Sequence, residues 1–230
     1  NDLKSRFVSM TSHEFRTPLS SILSSVELLE AYSQIWDESK RKHHFYRIKE
    51  SINIMNVLLE DILVIGKIDG GKFKSNPVEI CPIDLCNQTV EEMVLNDKGQ
   101  HKIHYNVIGS CKKIKLDPDI LRQIITNLLS NAIKFSLPGG KIDVDLLCDD
   151  SAMKFVLSDE GIGIPENDLS RLYDPFMRGA NVGAVPGSGL GMTIVKNAVE
   201  LCSGQIEVIS RENKGTKVIV NIPITREMGE

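Results

Sequence analysis

From Phe45 the apolar positions run Phe45, Ile48, Ile52, Met55, Leu59 and Ile62, at alternating spacings of three and four. That is the seam of a helix packing against other helices. An earlier stretch carries the same spacing in two patches, Leu3, Phe7, Met10 and then Leu19, Ile22, Val26, Leu29. Between the patches the seam lapses into residues 11–18, TSHEFRTP. Pro18 has no N–H to donate and crowds the preceding turn, so a local kink is expected there. Residues 33–37 are read as the turn that sends the chain back, which predicts a helical hairpin. Two helices cannot bury every face of such seams alone, so pairing with a second copy into a four-helix bundle is the expected arrangement.

At Asp69-Gly70-Gly71 this rhythm stops, within the short glycine-rich basic stretch GKIDGGKFKSN of residues 66–76. Beyond it the period changes repeatedly. Residues 102–108, 141–148, 153–157, 205–210 and 216–222 read as strands, and residues 84–95, 118–135 and 192–202 have helical spacing. Asp117 ahead of Pro118 is a favourable cap followed by proline in the first helical position. The chain therefore divides into a helical unit at 1–68, a linker at 69–76 and an α/β layered unit at 77–226, long enough for a core of its own.

Composition changes this picture little. The 230 residues carry 27 Lys and Arg against 31 Asp and Glu, a net charge of −4 that leaves no electrostatic footprint for nucleic acid. No apolar run approaches the ~18 residues that cross a bilayer, so no membrane contact by this stretch is expected. The first residue is Asn1, as in a piece cut from a longer protein. Five cysteines, Cys81, Cys86, Cys111, Cys148 and Cys202, form no CxxC pair and are read as reduced thiols of a cytoplasmic protein.

Three stretches of the second unit carry candidate chemistry. Asp159-Glu160-Gly161-Ile162-Gly163-Ile164-Pro165 follows an apolar strand, and Pro186-Gly187-Ser188-Gly189-Leu190-Gly191 leads into a helix. Glycines at a helix entrance let backbone N–H groups approach an anion, and the helix dipole favours negative charge there, so residues 187–191 make a credible phosphate cradle. It is neither a dinucleotide fingerprint, since Met192 holds the sixth position, nor a Walker loop. The third stretch is the helix with Asn127 and Asn131 four apart on one face and Lys134 three further on. Amide carbonyl oxygens suit Mg²⁺, and an ammonium suits phosphate; two exposed asparagines on an amphipathic helix are the bland alternative.

The order Asn-x-x-x-Asn, D-x-G-x-G, D-P-F and G-x-G-x-G resembles the ATP-binding domain of sensor histidine kinases, and residues 11–19 (TSHEFRTPL) resemble their phosphoacceptor box. The resemblance spans nearly the whole chain, with five motifs in order. It implies a dimeric helical-hairpin bundle followed by an α/β sandwich of the gyrase, heat-shock chaperone and histidine kinase ATPase type. It further implies ATP and Mg²⁺ as cofactors, and a homodimer that passes phosphate to the receiver domain of a response regulator. By the same resemblance Asp159 accepts from the adenine amine, Gly161 and Gly163 allow close approach, and Ile164 packs near the base. Asn131 is the Mg²⁺ ligand with Asn127 nearby, Lys134 faces the phosphates, and Gly187, Ser188, Gly189, Leu190 and Gly191 hold them. Residues 172–188 form a mobile lid that Phe176 packs and from which Arg178 reaches the γ-phosphate. Glu160 stands where the family commonly has Asn, a departure expected to tune the pocket's edge.

Four of the five histidines, His43, His44, His101 and His104, lie in ordinary polar or strand contexts. His13 differs, because it sits where the seam lapses, beside Glu14 and one turn before Thr17. A neutral imidazole is a competent nucleophile toward phosphorus near pH 7. The resemblance implies that Glu14 holds the Nδ1 proton and that Thr17 orients the water that removes phosphate from the partner's aspartate. Apolar residues around Phe15 and 19–23 are the expected docking face. Two other classes compete with this reading. A conformational ATPase clamp needs a Glu base where this chain has Asn127, and asparagine cannot serve as that base. A degenerate nucleotide-binding scaffold is opposed by the intact His13, Asn131, Asp159 and late glycines.

Overall fold

The computed structural model describes residues 2–69, 76–111, 113–149, 151–183, 185 and 187–224, with side chains from residue 7 and not at 67–69. The chain forms two compact units, Asn1–Gly71 and Lys72–Glu230. Most of the linker stretch, residues 70–75, lies outside the described residues, as do the side chain of Leu3 and residues 225–230.

The first unit is a hairpin of α1 (Asp2–Tyr32) and α2 (Glu38–Asp69). Asp37 opens α2 by accepting the Lys40 backbone amide on Oδ1 at 2.8 Å. Helix α1 runs through Pro18 without a break in assignment, although the proline leaves the Glu14 carbonyl without its helical partner. Just ahead, Thr11 and Ser12 donate their hydroxyls to the carbonyls of Phe7 and Val8. The stripe buried between the helices consists of Pro18, Ser25 and Leu29 on α1 with Ser51, Leu58 and Ile65 on α2. This departs from the expected seam. Ile48, Met55 and Ile62 are half-buried, but Phe45, Ile52 and Leu59 are exposed, as are Leu19, Leu23 and Val26 on α1. The apolar positions thus outnumber what one partner helix covers, and the surplus lines a separate exposed face.

The second unit is a two-layer α/β sandwich. Its elements are β1 (Val78–Ile80), α3 (Pro82–Asp97), β2 (Lys102–Gly109), β3 (Ile114–Leu116), α4 (Pro118–Phe135), β4 (Lys141–Cys148), β5 (Ala152–Asp159), the short α5 (Glu166–Leu169), α6 (Gly191–Leu201), β6 (Gln205–Arg211) and β7 (Gly215–Pro223). The sheet order is β2-β4-β5-β7-β6, with β2 parallel to β4 and the other pairs antiparallel, while β1 and β3 form a separate antiparallel pair. Side chains alternate along β4, so Ile142, Val144, Leu146 and Cys148 face the helices. Phe155 and Leu157 of β5 and Val220 of β7 do the same, against Cys86 and Val90 of α3, the apolar face of α4, and Val195 and Val199 of α6. β1, β3 and α5 were not legible as elements; each is four residues or fewer and carries no period.

Helix α4 is the centre of this core. Ile120, Leu121, Ile124, Ile125, Leu128, Leu129 and Ala132 are all buried, a stripe at helical spacing that fixes the helix's rotation. Asp117 caps it, accepting the Asp119 amide at 3.0 Å and, on its other oxygen, the Asn76 amide at 2.7 Å. His101, expected in an ordinary strand context, is nearly fully buried, its Nδ1 2.6 Å from Asp97 Oδ1.

The reading of all five cysteines as reduced thiols is corrected in one respect: Cys111 and Cys148 are paired as a disulfide across a separation of 37 residues. No CxxC spacing announced it, because the parallel pairing of β2 with β4 brings distant residues together. Cys81, Cys86 and Cys202 are free. Burial, with Cys81 adding to it, pushes the Cys86 thiol up to about 12, and burial with Asp117 nearby pushes Cys202 up to about 11, which makes both inert. Denatured protein prepared without reductant is therefore expected to react with a thiol reagent at three cysteines; reaction at all five would show the pair reduced.

Candidate active site

Asp159 ends β5, where the strand leaves the sheet. Its Oδ1 accepts the backbone amides of Gly161 at 2.8 Å and Thr216 at 3.3 Å. Oδ2 has no donor among the described residues and is available to a ligand. Burial raises the carboxyl's pKa, and the two amide hydrogen bonds oppose that rise. A half-buried carboxylate pinned on one oxygen and open on the other suits recognition of an amine rather than catalysis. The turn that follows is anchored from three sides. Ile162 donates its amide to Phe135 O at the end of α4 and accepts the Asn213 amide, and Ile164 donates to Ser210 Oγ. Gly163 has φ +63, and a Cβ there would strike the Arg211 carbonyl. Glu160 is exposed at the rim.

The flank of α4 left beside its buried stripe carries Asn127, Asn131 and Lys134. The glycines of the last box meet it. A Cβ on Gly191, the first residue of α6, would sit 3.1 Å from Asn127 Oδ1 and 3.7 Å from Asn131 Nδ2. A Cβ on Gly187 would overlap the Lys134 ammonium, and one on Gly189 would press on the backbone of Phe176 and Met177. On the other side, a Cβ on Gly161 would meet Phe135 O at 2.5 Å. The stretches around Asp159, Asn127–Lys134, Phe176 and Gly187–Gly191 thus meet around the end of α4, with the N-terminus of α6 beside them. Ser188 Oγ accepts the Leu190 amide at 3.2 Å, and the Leu190 side chain is wholly buried, so Leu190 anchors the box to the core.

Two cations lie here. Lys134 is lowered to about 8, first by burial and then by the nearby Arg178 guanidinium. Its ammonium lies 4.6 Å over the Phe135 ring. Arg178 donates to the carbonyls of Gly183 at 3.2 Å and Val185 at 2.5 Å, so the group expected to reach a phosphate here organises its own loop. Two mutually repelling cations beside a glycine-lined helix start, with amide carbonyls opposite, form a donor set suited to a polyphosphate and a hard divalent cation. Among the described residues no cluster of three His, Cys, Asp or Glu side chains offers an alternative metal site.

In the first unit His13 is exposed, with 74% of its side chain accessible, and its Nδ1 lies 3.8 Å from Glu14 Oε1. Adjacent residues on a helix do not face each other, yet the Glu14 rotamer reaches the imidazole. Thr17 is exposed one turn further along the same face, and Phe15 is half-buried.

Other residues emerged that no periodicity or motif signalled. Asn181 Nδ2 donates to the carbonyls of Ile162 and Gly163, Asp168 Oδ2 accepts the Ala180 amide, and Thr193 Oγ1 donates to Tyr173 O. Each has one end in an irregular segment, where the sequence carries no period.

The profile of the histidine kinase-, DNA gyrase B- and HSP90-like ATPases matches residues 116–226, and that of the His Kinase A phospho-acceptor domain matches residues 3–71. The chain belongs to the sensor histidine kinases. A sensor-like histidine kinase of Rhizobium meliloti is 31% identical over 97% of this chain and 43% of its own length. The autoinducer 2 sensor kinase/phosphatase LuxQ of Vibrio cholerae is 33% identical over 96% of this chain and 26% of its own. The chain thus spans less than half the length of these curated relatives. Among solved structures, the Acinetobacter baumannii histidine kinase AdeS superposes with a TM-score of 0.71 at 18% identity, covering 93% of this chain and 98% of that one. Full-length ShkA in complex with AMPPNP gives 0.68 at 22% identity over 96% of this chain and 46% of its own. At these identities the structural matches establish the histidine kinase fold, a helical hairpin followed by the α/β sandwich. No helix among the described residues is long and apolar enough to cross a membrane.

The depressed Lys134 gives this kinase core a testable pH signature. A lysine at about 8 must take up a proton when a polyphosphate binds above that pH. Affinity for a non-hydrolysable ATP analogue should therefore fall about tenfold between about pH 7 and about pH 9. Lys134→Gln should bind more weakly and lose this dependence, as titration calorimetry across the range would show.

Proposed function

We propose that the chain autophosphorylates His13 from ATP and passes the phosphoryl group to an aspartate on the receiver domain of a response regulator. The observation that carries this reading is the meeting of the Asp159 turn, the Asn127–Asn131–Lys134 flank and the Gly187–Gly189–Gly191 box around the end of α4, in a chain that also presents His13 exposed on a helix. Asp159 Oδ2 accepts from the adenine amine, Gly161 and Gly163 admit the base, and Ile164 packs beside it. The amides of residues 187–191 and the start of α6 receive the phosphates, with Lys134 and Arg178 opposite their charge. Asn131 would hold Mg²⁺ with Asn127 nearby, and the ion would supply neutralisation of the phosphate charge. Phe176 packs the loop that carries Arg178.

The Nε2 lone pair of His13 attacks the γ-phosphorus, the bond to the bridging oxygen breaks, and ADP departs. Glu14 keeps the proton on Nδ1, which holds Nε2 as the free nucleophile. In the second step the regulator's carboxylate attacks the same phosphorus and the imidazole is restored. We further propose that Thr17 orients the water that hydrolyses the regulator's aspartyl phosphate. The exposed stripe of Leu19, Ile52 and Leu59 pairs with a second copy in a homodimeric four-helix bundle, and Phe15 with Leu23 contributes to regulator docking. The site works in the cytoplasm, where ATP is supplied.

Labelling with γ-³²P-ATP and Mg²⁺ should give an acid-labile, alkali-stable phosphoramidate that His13→Gln abolishes while nucleotide binding persists. Label retained in His13→Gln would place the acceptor elsewhere, and rapid phosphate release without label would make the protein a clamp ATPase. Thr17→Ala should leave autophosphorylation within about twofold and slow regulator dephosphorylation by at least about tenfold. Both rates can be followed by loss and gain of label on the two proteins.

A further inference from the structure

Residues 170–183 form turns without a regular ladder, yet they carry Phe176 and Arg178 into the site. A segment of this kind is positioned by individual bonds rather than by a helix or sheet. Two of them grip its tip from opposite sides. Asp168 Oδ2, on α5, accepts the Ala180 amide at 2.8 Å. The Asn181 side-chain amide donates to Gly163 O at 3.0 Å and Ile162 O at 3.3 Å, two successive carbonyls of the turn that Asp159 begins.

The receiving turn is itself rigid. The amide of Ile162 is bonded to the end of α4, and its carbonyl already accepts the Asn213 amide at 2.7 Å from the β6–β7 connection. The segment is also shaped to admit the amide. A Cβ at Gly179 would come 3.1 Å from Asn181 Oδ1, so the absence of a side chain there leaves room for it. Farther along, Arg178 closes the same segment on itself through the carbonyls of Gly183 and Val185.

We infer that Asn181 is a positioning residue, tying the segment that carries Phe176 and Arg178 to the adenine turn so that this segment is already ordered when nucleotide arrives. This rests on the reading of the turn as part of a nucleotide site. Gly163 O and the remaining lone pair of Ile162 O accept in succession, and a primary amide supplies both protons from one nitrogen. A carboxylate of the same shape would set oxygen against oxygen and repel the turn. The order of tethering is therefore Asn above Ala above Asp, whereas a residue that merely fills space would tolerate Asp, its isostere, better than Ala.

Hydrogen exchange on the nucleotide-free protein tests the tether directly. The Ala180 amide should exchange faster in Asn181→Ala and faster still in Asn181→Asp, while amides of the α4 core keep their protection. Equal exchange in all three proteins would overturn the inference. Affinity for a non-hydrolysable ATP analogue should fall about fivefold in Asn181→Ala, the equivalent of one net hydrogen bond, and further in Asn181→Asp. ADP should lose less, because it lacks the γ-phosphate whose charge Arg178 on the tethered segment opposes. Parallel loss for both nucleotides together with a lowered melting temperature would mark Asn181 as a general structural residue and reject the positioning role. A wild-type protein that bound neither nucleotide would reject the nucleotide site itself, and the exchange comparison would still decide whether the tether exists.

Discussion

The burial of one face of α4 against the sheet is the constraint on which the ATP-binding unit depends. Seven apolar side chains from Ile120 to Ala132 fix the rotation of that helix to within a fraction of a turn. Once the stripe is buried, Asn127, Asn131 and Lys134 have only one direction to face, along the flank where α6 begins. Burial of the helix costs Lys134 part of its hydration and pushes its ammonium down toward neutrality. The packing that stabilises the fold is therefore also what tunes the cation beside the last glycine box. Removing a large side chain from this stripe would cost about 2–5 kcal/mol and would loosen the site together with the core.

The glycine boxes acquire their meaning from this helix. Gly187, Gly189 and Gly191 each lie where a Cβ would meet a group on another motif: the Lys134 ammonium, the Phe176 backbone and the Asn127 amide. Gly161 meets the last carbonyl of α4 in the same way. Close approach of these glycines to their neighbours places the last box at the start of α6, where the helix dipole favours an anion. Fold and site are in this sense one set of contacts, with the ligand-facing atoms those left over when the glycines pack.

The helical hairpin obeys the opposite logic. Its intrachain stripe is narrow and partly polar, with Ser25 and Ser51 buried beside Leu29, Leu58 and Ile65. Much of its apolar surface, including Leu19, Ile52 and Leu59, stays uncovered within one chain. A unit built this way leaves apolar surface for the pairing proposed above to cover.

Periodicity in the sequence determined the hairpin, the five long strands and the three long helices, because repeating burial on one face leaves a repeating pattern in the chain. The order of local motifs determined the family, and with it the candidate site from His13 to Gly191. Tertiary structure alone decided which apolar positions of the hairpin meet each other, since a surplus of apolar residues fits more than one helix rotation. It alone brought Cys111 to Cys148, through a parallel strand pair that joins residues far apart. It also decided that Arg178 bonds its own loop and that Asn181 and Asp168 grip that loop's tip. Those contacts are individual hydrogen bonds to an irregular segment, and such bonds leave no period or motif in the sequence that makes them.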